Sequence, residues 1–155
     1  MKNIVVAGGC FWGVEAYFKQ QDYILNSTVG YVNSSVENPD YKLVCTGTTD
    51  AAEAVELTYS GDLKKVLDTL FHIIDPTLSN RQGNDHGSQY RTGIYFESAE
   101  DEKYIKEYID GIRSEYSKPI MTEVLPVENF WPAEEYHQDY LDKNPGGYCH
   151  INLDM

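Results

Sequence analysis

The sequence predicts an α+β fold in which helices pack on one mixed sheet. Segments with strand-like apolar patterns alternate along the chain with segments whose apolar residues recur every three to four positions. Their order is strand, helix, two strands, helix, strand, helix, strand. The length of 155 residues suits one domain, and no apolar run reaches the roughly 18 residues of a membrane span.

The first half of the chain supplies three strands and one helix. The apolar run Ile4–Ala7 predicts the first strand. A helix follows near Phe11–Gln20, because apolar residues recur there at spacings of three and four. The second strand lies within Tyr23–Val32 and the third at Ala54–Tyr59. The connection 33–47 is long, and such loops in small domains usually serve binding or chemistry.

The second half adds two helices and two strands. Helical spacing predicts a helix over Leu63–Ile74 and another, behind a serine cap, over Ala99–Tyr116. The polar, glycine-punctuated loop 79–90 leads into a strand at Thr92–Phe96, and Met121–Leu125 is the last strand.

Residues 128–155 are expected to form an irregular C-terminal tail with a short helical piece at 134–141. We expect 1–155 to be a single domain that includes this tail. The element order indicates a two-layer sandwich with a ferredoxin-like core, that is, a split β-α-β arrangement.

The composition excludes several kinds of partner. A net charge of −13 opposes binding to nucleic acid or to an anionic membrane. The three cysteines and four histidines lack the spacing of a metal site, so no metal is expected. Because the N-terminus does not resemble a signal peptide, we expect a cytoplasmic location.

The most informative motif is Gly8-Gly9-Cys10-Phe11-Trp12-Gly13, at the junction of the first strand and the first helix. Two glycines permit a sharp turn, and the helix would direct free N–H groups at the sulfur. Such a position favours an exposed thiol with a lowered pKa. We therefore expect Cys10 to be a reactive nucleophile rather than a core cysteine. Phe11 and Trp12 would then line its pocket, where an aromatic wall suits a methyl-bearing or sulfur-containing group.

Other residues could move protons at such a site. Glu53 is flanked by alanines where a strand enters the core, and burial would raise its pKa towards neutrality. Tyr41 and Tyr90 could donate hydrogen bonds to an oxygen. Asp85 is either a turn former or a residue that fixes a neighbour's protonation.

The C-terminal Cys149 follows a Gly-Gly pair, and a tethered thiol there could convert a sulfenic acid on Cys10 into a disulfide. Cys45 is expected to be buried, although a role as a second resolving thiol stays open. From the residues alone, three other functions also stay open. They are a Cys/His acyl-transfer enzyme that uses His86 or His137, a thiol peroxidase or redox sensor, and an acidic module that binds a thioether or methylated side chain.

Five blocks in order along the chain resemble peptide methionine sulfoxide reductases of type A. They are Gly8-Gly9-Cys10-Phe11-Trp12-Gly13, Tyr41-Lys42-Leu43-Val44-Cys45-Thr46-Gly47, Ala52-Glu53-Ala54-Val55, Arg81-Gln82-Gly83-Asn84-Asp85 and Tyr148-Cys149. The resemblance extends from the first strand to the tail. It implies an oxidoreductase that reduces methionine S-sulfoxide, free or protein-bound, and so takes part in protein repair under oxidative stress.

The resemblance also implies a role for each site residue. Cys10 would be the nucleophile, Glu53 the acid, and Tyr41 and Tyr90 hydrogen-bond donors to the sulfoxide oxygen. Asp85 would belong to the polar network, Phe11 and Trp12 would hold the methyl group, and Cys149 would be the recycling cysteine. No metal or organic cofactor is implied, and the reductant would be an external thiol, thioredoxin or dithiothreitol.

The chain departs from the family pattern in three places. Residues 30–34 read Gly-Tyr-Val-Asn-Ser where members commonly have Gly-Tyr-x-Gly-Gly. Asp50-Ala51 stands where Gly-His usually precedes Ala-Glu. The tail holds one cysteine, whereas some members have two.

Overall fold

The computed structural model describes residues 2–82 and 85–144. The strands are β1 (Lys2–Gly8), β2 (Ile24–Val32), β3 (Ala52–Tyr59), β4 (Arg81–Gln82), β5 (Asp85–His86), β6 (Thr92–Phe96), β7 (Glu123–Pro126) and β8 (Phe130–Pro132). The α-helices are α1 (Phe11–Lys19), α2 (Tyr41–Cys45), α3 (Leu63–Ile73), α4 (Ala99–Ile112) and α5 (Tyr140–Lys143).

Six of the strands form one mixed sheet. Their order is β7-β6-β1-β3-β2-β8, and β4 pairs with β5 in a separate hairpin. Neighbouring strands of the large sheet are antiparallel except β6 and β7, which are parallel. The predicted α+β class, with a mixed sheet and packed helices, is confirmed.

The two faces of the sheet bury different amounts of apolar surface. One face packs against the helices in the main core, which includes Val6, Val55, Phe18 and Leu67. The other face carries a smaller cluster that includes Val5 and Ala54. Because side chains alternate along a strand, Glu53 lies on the same face as Val55 and points towards the helical layer.

Several elements differ from the sequence prediction at their ends. The third strand begins at Ala52, so Glu53 lies inside it rather than before it. Helix α4, which was expected to reach Tyr116, ends at Ile112, and the chain continues only as a 3-10 turn. Gly111 weakens the final turn of this helix, because glycine is unfavourable inside helices. The strand expected at Met121–Leu125 is displaced to Glu123–Pro126. Its displacement has a local cause, since the N–H of Met121 donates to Pro76 outside the sheet.

Several short elements were not predicted: the helix α2, the strand β8, and the β4–β5 hairpin inside the loop expected at 79–90. In α2, Asp40 caps the helix by accepting a hydrogen bond from the N–H of Leu43 at 2.8 Å. Five residues are too few to show a helical period. Strand β8 has three residues and pairs with the edge of β2 through Tyr31 and Trp131.

The segment expected to be an irregular tail is ordered over its described part, 128–144. Beyond β8, the side chain of Gln138 bonds both the N–H and the carbonyl of Val29 at 2.9 Å. The buried Glu15 of α1 accepts a hydrogen bond from the N–H of Asp139 at 2.8 Å. These are individual polar contacts, and a periodic pattern of apolar residues in the sequence does not predict them. Cys149 lies outside the described residues.

Candidate active site

The turn after β1 places Cys10 at the start of a helix. Gly9 has φ of 93°, a left-handed conformation that glycine adopts without strain. Cys10 is the N-cap of α1, and its carbonyl accepts the first helical bond, from Val14, at 3.4 Å. The predicted strand-to-helix junction at this cysteine is confirmed.

The prediction that Cys10 is exposed and has a lowered pKa is wrong for this structure. Its residual exposure is only 6%. Burial, and then the negative charge of Glu53, raise the pKa of the thiol, while the N–H groups of Trp12 and Gly13 act in the opposite direction. The helix start therefore favours the thiolate as expected, but desolvation outweighs it.

Glu53 is the buried carboxyl of the site. It is 1% exposed, and its Oε1 accepts a hydrogen bond from the N–H of Phe11 at 3.3 Å. Burial raises its pKa to about 8, with a smaller contribution from Asp85. Oε2 is buried and has no hydrogen-bond partner among residues 2–82 and 85–144. Glu53 is thus a protonated acid at neutral pH, with one oxygen that is free to bear the proton.

The protonation state of Glu53 affects the pKa of the Cys10 thiol. An ionised Glu53 opposes the thiolate of Cys10 by charge repulsion. When Glu53 holds its proton, that repulsion is absent, although burial and the charge of Asp85 still oppose ionisation of the thiol. The proton on Glu53 therefore has two effects: it makes Glu53 a proton donor, and it makes Cys10 easier to ionise.

Tyr41 and Tyr90 lie next to this pair. Tyr41 begins α2, Tyr90 ends the 3-10 turn Ser88–Tyr90, and their hydroxyls are hydrogen-bonded to each other. Burial and the charge of Glu53 raise the pKa of both phenols, so both remain neutral donors. Asp85, in β5, acts on Glu53, Cys10 and Tyr90 through its charge, which places it in the same group.

The two aromatic residues after Cys10 occupy different environments. Phe11 is fully buried, with Tyr31 and Tyr41 at ring-centroid distances of 5.8 and 6.4 Å. Trp12 is half-buried, and its indole stacks on Tyr140 at 3.8 Å with an interplanar angle of 10°. Phe11 therefore belongs to the core beneath the site, whereas the side chain of Trp12 is partly exposed to solvent.

Glu134 belongs to the site and was missed at the sequence level. Its carboxylate accepts hydrogen bonds from the hydroxyl of Tyr31 at 2.8 Å and from the N–H of Tyr41 at 3.2 Å. It thereby fixes the start of α2 and the position of Tyr41. Glu134 lies more than ninety residues after both partners, so nothing local in the sequence could reveal it.

Arg91 is a second residue that the sequence did not reveal. Its guanidinium donates to the carbonyls of Asp50 at 2.6 Å and Ser88 at 2.7 Å, and it pairs with Glu123 at 2.7 Å. One cation therefore ties the loop before Glu53 to the turn that carries Tyr90. Its only sequence signal is its position directly after that tyrosine.

The two departures from the family pattern that lie in described residues fall on left-handed backbone. Asn33 has φ of 52° and Asp50 has φ of 58°. Asn33 compensates by accepting hydrogen bonds from the N–H groups of Glu128 and Asn129 and donating to Pro126 at 3.0 Å. These bonds connect the end of β2 to the end of β7 and to the loop between β7 and β8.

Cys45 and His137 are the other cysteine and histidine candidates that the structure places. Cys45 is exposed at the end of α2 rather than buried as expected, and hydrogen bonds connect its side chain with Tyr41 and Gln89. His137 is buried against Phe11 and Trp12. In the described ranges, no group of three or more His, Cys, Asp or Glu side chains could hold a metal ion. No helix in those ranges is both long and apolar enough to cross a bilayer.

A thiol at a helix start, beside a protonated carboxyl and two neutral phenols, is typical of a thiol-dependent enzyme, because such carboxyl and phenol groups can donate protons and hydrogen bonds. Comparison with known proteins gives the family. The model of the family "Peptide methionine sulfoxide reductase" matches residues 2–155, and the chain belongs to that family.

Individual relatives agree with this assignment. The chain is 55% identical to "Peptide methionine sulfoxide reductase MsrA" of Clostridium acetobutylicum, over 100% of this chain and 98% of the relative. Its structure is similar to that of Mxr1 from Saccharomyces cerevisiae in reduced form, with a TM-score of 0.93, 40% identity, and coverage of 98% and 91% of the two chains. Mxr1 in complex with Trx2 is also similar, with a TM-score of 0.65, 28% identity, and coverage of 90% and 84%.

Proposed function

We propose that this chain reduces methionine S-sulfoxide, free or within proteins, to methionine, and that thioredoxin recycles it. The observation that carries the proposal is the pairing of the Cys10 thiol with the protonated, buried Glu53. A sulfoxide sulfur is a poor electrophile until its oxygen is protonated or hydrogen-bonded, so a nucleophile and an acid are needed together.

In the first step, Glu53 gives its proton to the sulfoxide oxygen while Tyr41 and Tyr90 donate hydrogen bonds to the same atom. The thiol proton of Cys10 passes to the same oxygen as the thiolate attacks the sulfur, so the oxygen leaves as water and a bond joins the two sulfurs. A water molecule then attacks the cysteine sulfur, the bond between the sulfurs breaks with its electron pair on the methionine sulfur, and one proton returns to Glu53. The net change is one thioether and one sulfenic acid formed from one sulfoxide and one thiol, so Cys10 is oxidised by two electrons. We assign Asp85 to the polar network and Trp12, supported by Phe11, to the methyl group.

In the second step, the thiol of Cys149 condenses with the sulfenic acid of Cys10. Water leaves, and a Cys10–Cys149 disulfide forms. A dithiol such as thioredoxin or dithiothreitol then reduces the disulfide by exchange. The solved complex of Mxr1 with Trx2 supports thioredoxin as the partner, and no organic cofactor or metal enters this scheme.

We assign the four central strands, in the order β6-β1-β3-β2, to a ferredoxin-like core, because β3 separates β1 from β2 and β1 separates β3 from β6. Residues 1–155 form a single catalytic domain. The cytoplasm, a reducing compartment, is where its thiols would stay active.

The test is incubation with racemic methionine sulfoxide and dithiothreitol, with each enantiomer followed by chiral chromatography. We expect the S epimer at sulfur to disappear and the R epimer to persist, and we expect Cys10→Ala to abolish the reaction. Equal loss of both epimers, or unchanged turnover by the variant, would refute the proposal. Hydrogen peroxide serves as a comparison substrate, since a thiol peroxidase would consume it in preference to the sulfoxide.

A further inference from the structure

His137 lies at the centre of the aromatic residues that surround the site. It ends the 3-10 turn Glu135–His137 and is only 1% exposed, although both preceding residues are exposed. Its ring centroid lies 5.2 Å from that of Phe11, 5.7 Å from that of Trp12 and 4.7 Å from that of Tyr41. One imidazole therefore contacts both residues that follow Cys10 and one of the oxygen donors.

A hydrogen bond defines the state of this imidazole. The Nε1–H of Trp12 donates to Nδ1 of His137 at 2.9 Å. Because an indole nitrogen can only donate, Nδ1 must be unprotonated, and the neutral ring carries its proton on Nε2. Burial lowers the pKa of His137, against an opposing effect of the Glu134 carboxylate, so the ring stays neutral near pH 7.

Two contacts together fix the indole of Trp12. Stacking on Tyr140 sets the plane of the ring, but stacked rings can still rotate within that plane. The hydrogen bond to His137 acts at the edge of the indole and removes this freedom. Both partners come from the segment after β8, so the orientation of Trp12 is set from outside its own helix.

We propose that His137 is a positioning residue for Trp12. By accepting the indole N–H at Nδ1, it fixes the wall against which the methyl group of the substrate packs. This inference rests on the proposed function, because it takes Trp12 as part of the substrate pocket. It assigns no proton transfer to His137, since the one ring atom able to accept a proton is already occupied by Trp12.

Two variants of His137 separate the effect of its hydrogen-bond acceptor from the effect of its aromatic ring. In His137→Asn, the side-chain oxygen can take the place of Nδ1, whereas His137→Phe keeps an aromatic ring and removes the acceptor. We expect the Phe variant to raise KM for methionine sulfoxide about five- to tenfold with little change in kcat, the effect of one lost hydrogen bond. The Asn variant should restore most of that affinity. Equal impairment of both variants, or no effect of Phe, would overturn the proposal.

A double-mutant cycle tests whether the effect passes through Trp12. In a Trp12→Phe background, His137→Phe should raise KM no further, whereas a merely structural role for His137 would persist there. Fluorescence of Trp12, isolated by Trp131→Phe, provides a readout that does not need activity. We expect His137→Phe to shift its emission and His137→Asn to leave it close to the parent. If the parent enzyme reduces no sulfoxide, the proposed function fails, while this fluorescence difference still reports on the Trp12–His137 contact.

Discussion

The backbone N–H of Phe11 donates to Oε1 of Glu53 at 3.3 Å, and this bond joins the start of α1 to β3, one of the two central strands of the sheet. Phe11 follows Cys10 directly, so the bond holds the acid next to the nucleophile. It also leaves Oε2 buried, with no partner in the part of the chain that the structure describes. A hydrogen bond between residues 42 positions apart in the chain therefore brings the acid and the nucleophile together.

Glu53→Gln should nearly abolish sulfoxide reduction. Glutamine keeps the shape and the acceptor for the N–H of Phe11, but it has no proton to release. Loss of a general acid typically costs about 10²- to 10⁴-fold, which should appear in kcat/KM for methionine sulfoxide. Glu56→Gln, three residues along the same strand, is the matched control and should keep its activity. An active Glu53→Gln enzyme would remove Glu53 from the mechanism.

The raised pKa of Glu53 also predicts how activity and stability change with pH. Activity that depends on the protonated acid should fall as pH rises through about 8. The free energy of unfolding also falls as pH rises, because the unfolded chain releases this proton near pH 4.5 and the folded chain only near pH 8. The folded state is thus progressively destabilised between these values. Glu53→Gln should remove this loss, so its gain in Tm over the parent should be larger at pH 8.5 than at pH 5; a constant difference would contradict the pKa assignment.

The sequence predicted those parts of the molecule that depend on local pattern. The junction at Cys10 follows from two glycines between a strand and a helix, and the burial of Glu53 follows from its alanine neighbours. The pKa of Cys10 did not follow, because desolvation and the charge of Glu53 come from the folded surroundings. Likewise, Glu134 and Arg91 act through single polar contacts between distant segments, which no periodicity records.

Cys149→Ser should reduce one equivalent of methionine sulfoxide and then stop when thioredoxin is the only reductant. Without a resolving thiol, the sulfenic acid of Cys10 has no internal partner. Cys45→Ser is the matched control and should sustain turnover. The measurement is methionine formed per enzyme in a thioredoxin-coupled assay. Sustained turnover by Cys149→Ser would point to Cys45 or another route, and a stalled Cys45→Ser would assign resolution to that residue.

Tyr41→Phe and Tyr90→Phe should each lower kcat/KM, and the double variant should lower it further. Each phenol offers one neutral hydrogen bond to the sulfoxide oxygen, so each single change should cost about five- to tenfold. The two hydroxyls are hydrogen-bonded to each other, and the remaining one can adjust when its partner is lost. We therefore expect kcat/KM of the double variant to fall by more than the product of the two single losses. The total loss should reach as much as about 10³-fold. Strictly multiplicative losses would show that the two phenols act independently.

Gly30→Ala and Gly111→Ala should change stability in opposite directions. A Cβ at Gly30 would approach the ring of Phe130 and the carbonyl of Trp131 to 2.5 Å, and a backbone atom at that distance cannot yield without moving β8. Overpacking of this kind costs about 1–3 kcal/mol, so Tm should fall by several degrees. At Gly111, in α4, a Cβ would meet nothing within 4 Å, and alanine should stabilise the helix by about 0.5–1 kcal/mol.

The same pair of variants tests whether β8 supports the site. Strand β8 leads directly to Glu134, which holds Tyr41, and to His137, which holds Trp12. If its pairing with β2 positions these side chains, Gly30→Ala should lower kcat/KM even at temperatures where it remains folded, while Gly111→Ala keeps full activity. Calorimetry and sulfoxide reduction on the same preparations give both quantities. A destabilised Gly30→Ala enzyme with unchanged kcat/KM would mean that β8 contributes to folding alone.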